Sequence, residues 1–579
     1  MKIPRAEYHR PQFERKDWLS LNGEWTYCFD FGKSGSHNGR KLEKSKGFSS
    51  KINVPFCPES KLSGVEYIDF IEQMWYHKII SIPKNWNNKN ILLNFGAVDY
   101  SCELFINEKY VGCHFGGSSA FCFDITNYLD FNNENHLVLK VCDNIRNNTQ
   151  PYGKQCFLYE SQGCSYTRTT GIWQSVWLEA VNKSHLLDMQ VITNAFNGQI
   201  TFIPTFEKNE TQQNLTIKIK DGEAIVAEAT AVAINGCPLI ITVPSAKLWS
   251  PQAPFLYNLE YCLKDASGNL LDQVFSYTGI RTVQVSGNQF LLNGEPLFFR
   301  FVLDQGFYPT GVWTAPSDND LKRDIELSMS AGFNGARLHQ KIFEPRFYYW
   351  ADKLGYLVWS EFPSWFCNPN LPESIKNLHT EWTEIVKQFR NNPSNVAWTP
   401  WNESWDIFNE LQHERESFDI YRMTKNMDPT RPINTSSGGI HFKTDLWTVH
   451  NYGNNEETLY HELNPVKGVW FAFPEKQKTQ YDGQPYIVDE CGGVTWFTED
   501  RKYAHNTWGY GGYPKSEAEY LERIRGSISA IVRTKHCIGF CYTQLTDVEQ
   551  EQNGVLYYDR TPKCDLKKLN DIFSMKRGE

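Results

Sequence analysis

Between residues 297 and 547 the chain carries eight short apolar runs, and seven of them end on side chains that could do chemistry. In order these are Asp304; Arg337 and His339; Glu361; Asn402 and Glu403; His450 and Tyr452; Asp489 and Glu490; and Tyr542, Gln544 and Asp547. Gathering Glu361, Glu403 and Glu490 in one place is costly, because neighbouring carboxylates repel and raise each other's pKa. Cleavage of a glycosidic bond needs two carboxylates in different states. One donates a proton to the leaving oxygen and the other, ionised, attacks the anomeric carbon; in retaining enzymes they stand about 5–5.5 Å apart.

Something must hold those strand ends together. The apolar runs alternate with helical patterns: SDNDLKRDIELSMSAG puts Leu321, Ile325 and Met329 on one face, with Ser317 as a start signal and Gly332 as a stop. PESIKNLHTEWTEIVKQFR repeats Ile375, Leu378, Trp382, Ile385 and Phe389 at helical spacing. Eight strands with intervening helices over about 250–300 residues predict a (β/α)8 TIM barrel, whose active site lies at the C-terminal ends of the strands. No GxGxxG or P-loop string follows an early strand, which weighs against the alternative, a doubly wound nucleotide fold. Upstream the pattern is all β. Residues 1–183 read as one β-sandwich and 184–284 as a second, with hairpin signals at Asp221-Gly222 and Ser267-Gly268. The barrel is expected over 285–579.

Composition narrows the function classes. Net charge is −9 over 579 residues with no long basic run, which argues against nucleic acid as a partner. No apolar run of about 18 residues predicts a membrane span, and no apolar leader follows Met1. The 15 Cys contain no CxxC pair, so neither a zinc ribbon nor a redox motif is suggested. Free thiols in the cytoplasm are expected. Nineteen Trp suit either large β cores or stacking on sugar rings.

The strings themselves resemble glycoside hydrolase family 2, the family of many β-galactosidases, β-glucuronidases and β-mannosidases. NNPSNVAWTPWNES is similar to its acid/base segment, PYIVDECGG to its nucleophile segment and AGFNGARLH to the segment bearing an Arg near the nucleophile. Outside the barrel, WLSLNGEW, RTTGIWQSVWLE and GIRTVQVSGNQFLLNGEPLF follow in the family's order. The resemblance implies an N-terminal jelly-roll sugar-binding sandwich, an immunoglobulin-like sandwich and a catalytic barrel. It implies Glu403 as general acid/base, Glu490 as nucleophile, Asn402 on the sugar 2-hydroxyl, Arg337 keeping Glu490 ionised and Tyr452 donating to the nucleophile. Glu361 would bind sugar or buttress Arg337. Asp304, His339 and Trp401 are further candidates for sugar contact. His450 is expected behind the site rather than as a proton shuttle.

Several positions depart from the family. His339 stands where a Ser is usual, Gln340 where a sugar-binding His is usual, and Tyr542 where many relatives end the last strand with a Trp beneath the sugar. No Glu-x-His pair follows the third strand, so no metal and no cofactor are expected. No Asn-x-Lys pair of the kind that holds a uronate follows Glu490. The expected reaction is retaining hydrolysis at the non-reducing end of a small carbohydrate. A β-galactoside is the first reading; β-glucuronide, β-mannoside, β-galactofuranoside and α-L-arabinoside are alternatives. Transglycosylation and a non-catalytic sugar-binding protein are the rival functions, and a homo-oligomer is the family's expectation.

Overall fold

A computed structural model describes residues 3–36, 41–208, 212–405, 409–477 and 479–577. The chain begins as a jelly-roll β-sandwich. A six-stranded antiparallel sheet, with Gln73–Ile80 and Asn135–Cys142 at its centre, faces a four-stranded sheet built on Asn90–Phe95 and Val176–Val181. In Ser101–Ile106 the buried residues Cys102, Leu104 and Ile106 alternate with the half-buried Ser101, Glu103 and Phe105, as a strand with one face on the core requires. An immunoglobulin-like sandwich follows, with sheets of three and four strands, closed over Phe202, Ile217, Ile219 and Leu259.

The third unit is the barrel. Its strands are β1 (Phe299–Asp304), β2 (Gly335–Leu338), β3 (Leu357–Glu361), β4 (Asn395–Thr399), β5 (Trp447–Asn451), β6 (Tyr486–Gly492) and β7 (Cys537–Thr543). All are parallel and run in the order β4-β3-β2-β1-β7-β6-β5. Seven regular strands stand where the sequence predicts eight. The remaining place, between β4 and β5, is taken by residues 432–438 as an irregular extended segment. Asn434 N and Ser437 N donate to Trp398 O and Trp401 O on one side, at 2.9 Å each. On the other side Asn434 Nδ2 and Gly438 N reach the Thr448 hydroxyl, at 3.0 and 3.1 Å. Pro432 has no N–H, and the run Asn-Thr-Ser-Ser-Gly offers side-chain bonds that compete with a ladder.

Phe299, Phe301, Leu303, Trp359, Ala397, Ile487 and Cys541 fill the barrel interior. Gly335 makes room for them, because a Cβ there would lie 2.3 Å from the Phe301 ring. The helices outside include α1 (Asp318–Ser330), α2 (Pro345–Leu354), α3 (Pro372–Phe389) and α4 (Glu410–Met427). The α3 face formed by Leu378, Trp382, Ile385 and Phe389 is buried as its spacing predicts. In α1 the buried residues are Leu321, Asp324, Ile325 and Ser328, and Met329 turns outward. Ser317 precedes α1 but bonds the Asp320 side chain at 2.6 Å instead of a backbone N–H. No described helix is long and apolar enough to cross a membrane.

The first sandwich is clamped onto the barrel through buried polar groups. Arg5 pairs with Glu344 at 2.8 Å, and Ser118 N donates to Glu381 of α3 at 2.6 Å. Burial, with Glu384 nearby, pushes the Glu381 carboxyl up to about 8. The folded protein therefore keeps a proton that the unfolded chain releases near pH 4.5. Stability drains as pH rises from there to about 8, and the loss is complete above it. Glu381→Gln removes that loss. Relative to wild type, its Tm should gain roughly 2–4 °C more at pH 8 than at pH 5 in thermal unfolding; equal shifts at both pH values would contradict the assignment.

Candidate active site

Consecutive residues on a strand normally face opposite ways, yet Asp489 and Glu490 both reach the same guanidinium. The reason is local. The pairing of β6 slips between Val449 and His450 on one side and between Val488 and Cys491 on the other. Such bulges re-aim side chains beside functional sites. Here they turn two neighbouring carboxylates and His450 into one mouth.

Arg337, at the end of β2, is wholly buried among them. Its Nη2 lies 2.5 Å from Glu490 Oε1, its Nη1 3.1 Å from Asp489 Oδ2 and its Nε 3.0 Å from Glu361 Oε2. It also donates to the Ser437 hydroxyl and to His339 Nδ1, the latter at 2.9 Å. His339 therefore accepts from a cation. Burial and the charges of Lys154 and Arg337 hold it neutral, well below the ordinary histidine range. Burial would raise the Glu490 pKa, but His450, Arg337 and the Tyr452 hydroxyl outweigh it and hold the carboxyl far below its usual range. Tyr452 donates to Glu490 Oε2 at 2.5 Å, its ring stacked on Tyr510 at 3.6 Å.

Glu403 enters from the other side. Its backbone adopts φ +50°, a left-handed conformation uncommon for a side-chain-bearing residue, and Glu403 N is fixed to Ser437 O at 2.9 Å. His450 Nδ1 lies 2.8 Å from Glu403 Oε1 and 3.3 Å from Glu490 Oε2. Carboxylate oxygens of both glutamates and a nitrogen of His450 all lie within 4.8 Å of one another. Burial opposes a charge on His450, but Glu490, Asp489 and Glu403 favour it and lift its pKa to about 9. Next to Glu403, the Asn402 Nδ2 is buried with no protein partner and is free to donate to a ligand. The three groups around His450 could in principle ligate a cation. The His450 proton and the Arg337 guanidinium already balance that charge.

Other sequence candidates lie elsewhere. Glu361 is fully enclosed, taking Gln340 N and Nε2 at 3.1 and 2.9 Å and facing Arg337, so both its oxygens are engaged within the protein. Gln340 is spent on that contact. Asp304 pairs in register with Leu338 on the outer side of the sheet, accepts from Gly306 N at 2.9 Å and stands near Asp324 and Arg560. Tyr542 also faces outward, against Phe573 at 5.1 Å. It is Thr543 that turns inward, with its hydroxyl 3.4 Å from Tyr452. Trp401 packs in the shell between strands and helices. Of the Trp residues near the motifs, Trp405 meets the site, edge-on to His450 at 6.2 Å. His450 and Asp489 were underrated because strand parity places only one of two neighbours inside. A cavity of about 600 Å³ lies elsewhere, lined among others by Arg10, Phe13, Trp177 and Arg390.

Comparison with known proteins agrees with this architecture. The model of "Glycosyl hydrolases family 2, TIM barrel domain" matches residues 283–576, the family's sugar binding domain matches 19–180, and a third model of the family matches 176–281. The chain belongs to glycosyl hydrolases family 2. A putative beta-glucuronidase from Formosa agariphila is 28% identical over 71% of this chain and 51% of its own length. A beta-galactosidase from Thermoanaerobacter pseudethanolicus is 25% identical over 81% of this chain and 62% of its own. The chain thus spans half to two thirds of the length of these curated relatives. Among solved structures, a b-glucuronidase from Ruminococcus gnavus in complex with N1-substituted uronic isofagomine superposes with a TM-score of 0.81 at 20% identity. The match covers 98% of this chain and 100% of that one, a likeness of fold.

The family member thus presents an ionised Glu490 and, opposite it, Glu403 beside a protonated His450. If that proton is the one a reaction uses, kcat/KM on an aryl glycoside should fall above about pH 9. His450→Gln, which removes the group that titrates there, should abolish that limb in the pH–rate profile. An unmoved limb in a folded variant would contradict the role.

Proposed function

We propose that the protein is a retaining exo-glycosidase. The observation that carries this reading is the close approach of the Glu403 and Glu490 carboxylates, within 4.8 Å across the same mouth. That spacing suits direct attack and falls short of the roughly 6.5–9.5 Å at which an inverting enzyme seats its water beside the sugar. Glu490, held ionised by Arg337 and steadied by Tyr452, attacks the anomeric carbon. Glu403 gives a proton to the departing oxygen as the bond breaks, and the glycosyl group is left esterified to Glu490. Glu403 then takes a proton from water, which attacks the same carbon and frees Glu490. Asn402 Nδ2 donates to the sugar 2-hydroxyl, a contact that strengthens as positive charge develops at the anomeric carbon.

The substrate is the non-reducing end of a small carbohydrate. The loop of residues 150–170, from the first sandwich, packs on the segments that follow barrel strands, with Gly153 N bonded to Pro363 O and Lys154 over the Trp365 ring, and an exo mode of action is the reading we adopt. The sugar is read first as a β-galactoside; relatives bearing that name and beta-glucuronidase both match the chain. All fifteen cysteines are free, which fits work in a reducing cytoplasm.

The reading is tested by proton NMR of the first-formed sugar and by Glu403→Ala. The product should appear with its original anomeric configuration. The variant should lose about 10²–10⁴-fold in kcat/KM on alkyl glycosides and far less on dinitrophenyl glycosides, whose leaving groups need no proton. Inverted product, or equal losses on both classes, would contradict the assignment.

A further inference from the structure

One buried cation near the carboxylates is left unpaired by the scheme above. Lys154 belongs to the first sandwich, yet it is only 6% exposed and sits over a barrel residue, with its Nζ 3.8 Å from the centre of the Trp365 ring. Trp365 in turn meets the His339 ring edge-on at 6.4 Å. His339 touches Arg337 at 2.9 Å, and Arg337 holds Glu490. Lys154 thus stands over the wall of the same mouth. Its charge bears on His339 more strongly than that of Arg337 does, and it is felt by Glu490 and Glu403.

The placement is built in. Gly153 adopts φ +58° against the barrel, and a Cβ there would lie 2.2 Å from Gln340 O. Gly153 N donates to Pro363 O at 3.2 Å. Downstream, Gln550 Nε2 takes Gly163 O and Ser165 O at 2.8 and 3.0 Å, and Tyr166 donates to Glu551. The loop is therefore pinned at both ends to the segments after β2, β3 and β7, and Lys154 is delivered to the mouth with it.

No carboxylate of the described residues comes within ion-pair distance of Lys154. Its neighbours are the Trp365 ring and the Cys164 thiol, a weak partner whose own ionisation burial opposes. Burial works against the lysine's charge, but Cys164, Glu551, Glu490 and Glu403 outweigh it, so the ammonium stays protonated. Those carboxylates act from beyond contact, so the ammonium is kept charged while its direct ion-pair position is filled by no side chain of the described residues. A ligand that brings an anion can fill that position, whereas a neutral sugar cannot.

We propose that Lys154 is a specificity-determining residue that binds an anionic substituent, a carboxylate or a sulfate ester, on the sugar cleaved at Glu490. The inference rests on the glycosidase reading and names its substrate class. The anion is read by the sandwich, from a position with no counterpart among the barrel strand ends. The β-galactoside reading then becomes a galactoside or related hexoside bearing an acid group.

The test compares 4-nitrophenyl β-glycosides that differ only at C6: hydroxymethyl, carboxylate and 6-sulfate, in the gluco and galacto series. Wild-type enzyme should favour one anionic member over its neutral counterpart by on the order of 10²-fold in kcat/KM. The carboxylate and sulfate arms decide which anion. Lys154→Met should collapse the ratio towards one, and Lys154→Arg should retain part of it. Wild-type preference for the neutral sugar overturns the proposal whether or not the variants fold, and so does equal loss on both substrates in folded Lys154→Met. Turnover without anionic preference sinks Lys154 alone. No turnover of any member in folded enzyme, with no label on Glu490 either, sinks the glycosidase reading on which it stands.

Discussion

A guanidinium with no exposed surface needs anions around it, and Arg337 dictates much of the barrel mouth by that need. Its three carboxylate neighbours, Glu361, Asp489 and Glu490, come from β3, which pairs with its own strand, and from β6, three places away around the barrel. Removing one partner of a buried pair typically costs about 3–5 kcal/mol, because the other charge is stranded. The three carboxylates are not equivalent. Burial leaves the Glu361 and Asp489 pKa values raised despite Arg337. Glu490 alone also faces His450 and the Tyr452 hydroxyl, and it is the one held far below the ordinary range. One cation is shared by three acids, and the second set of partners decides which acid is held most firmly ionised.

That selection depends on backbone irregularities. Without the slips in the pairing of β6, Asp489 or Glu490 would face the helices. Without the left-handed backbone at Glu403, the chain after Asn402 would carry the second carboxylate away from His450. The irregular segment at residues 432–438 supplies Ser437, whose hydroxyl donates to Asp489 at 2.6 Å and lies 3.0 Å from His450 Nε2. A barrel of eight ideal strands would lack these contacts. The sandwich adds a further constraint from outside, since its loop docks where Gly153 has no side chain to clash.

The same irregularities set how much could be read from the amino acids. The three units were legible because strand alternation and helical spacing are strong over long stretches, and the motifs at Glu403 and Glu490 mark strand ends directly. The inward or outward sense of individual residues was not. Tyr542 looks like the floor of the site until register places it beside Val302 on the outer face and Thr543 within. Asp304 shares that outer parity. Glu361 could not be divided between sugar and buttress until Gln340 and Arg337 were seen to take both its oxygens. His450 was expected behind the site, but a slip in the β5–β6 pairing places it between the two glutamates. Lys154 left no local signal at all: only tertiary packing brings residue 154 next to residue 365.

The central claim is that Glu490 is the nucleophile of a double displacement. The most direct measurement is trapping with 2-deoxy-2-fluoro glycosyl fluorides, neutral and acidic at C6, followed by intact mass and peptide mapping. The account predicts one sugar per chain, esterified to the peptide bearing Glu490, and no label in Glu490→Gln. A label on another residue, or none with any member of the panel in folded protein, would contradict it.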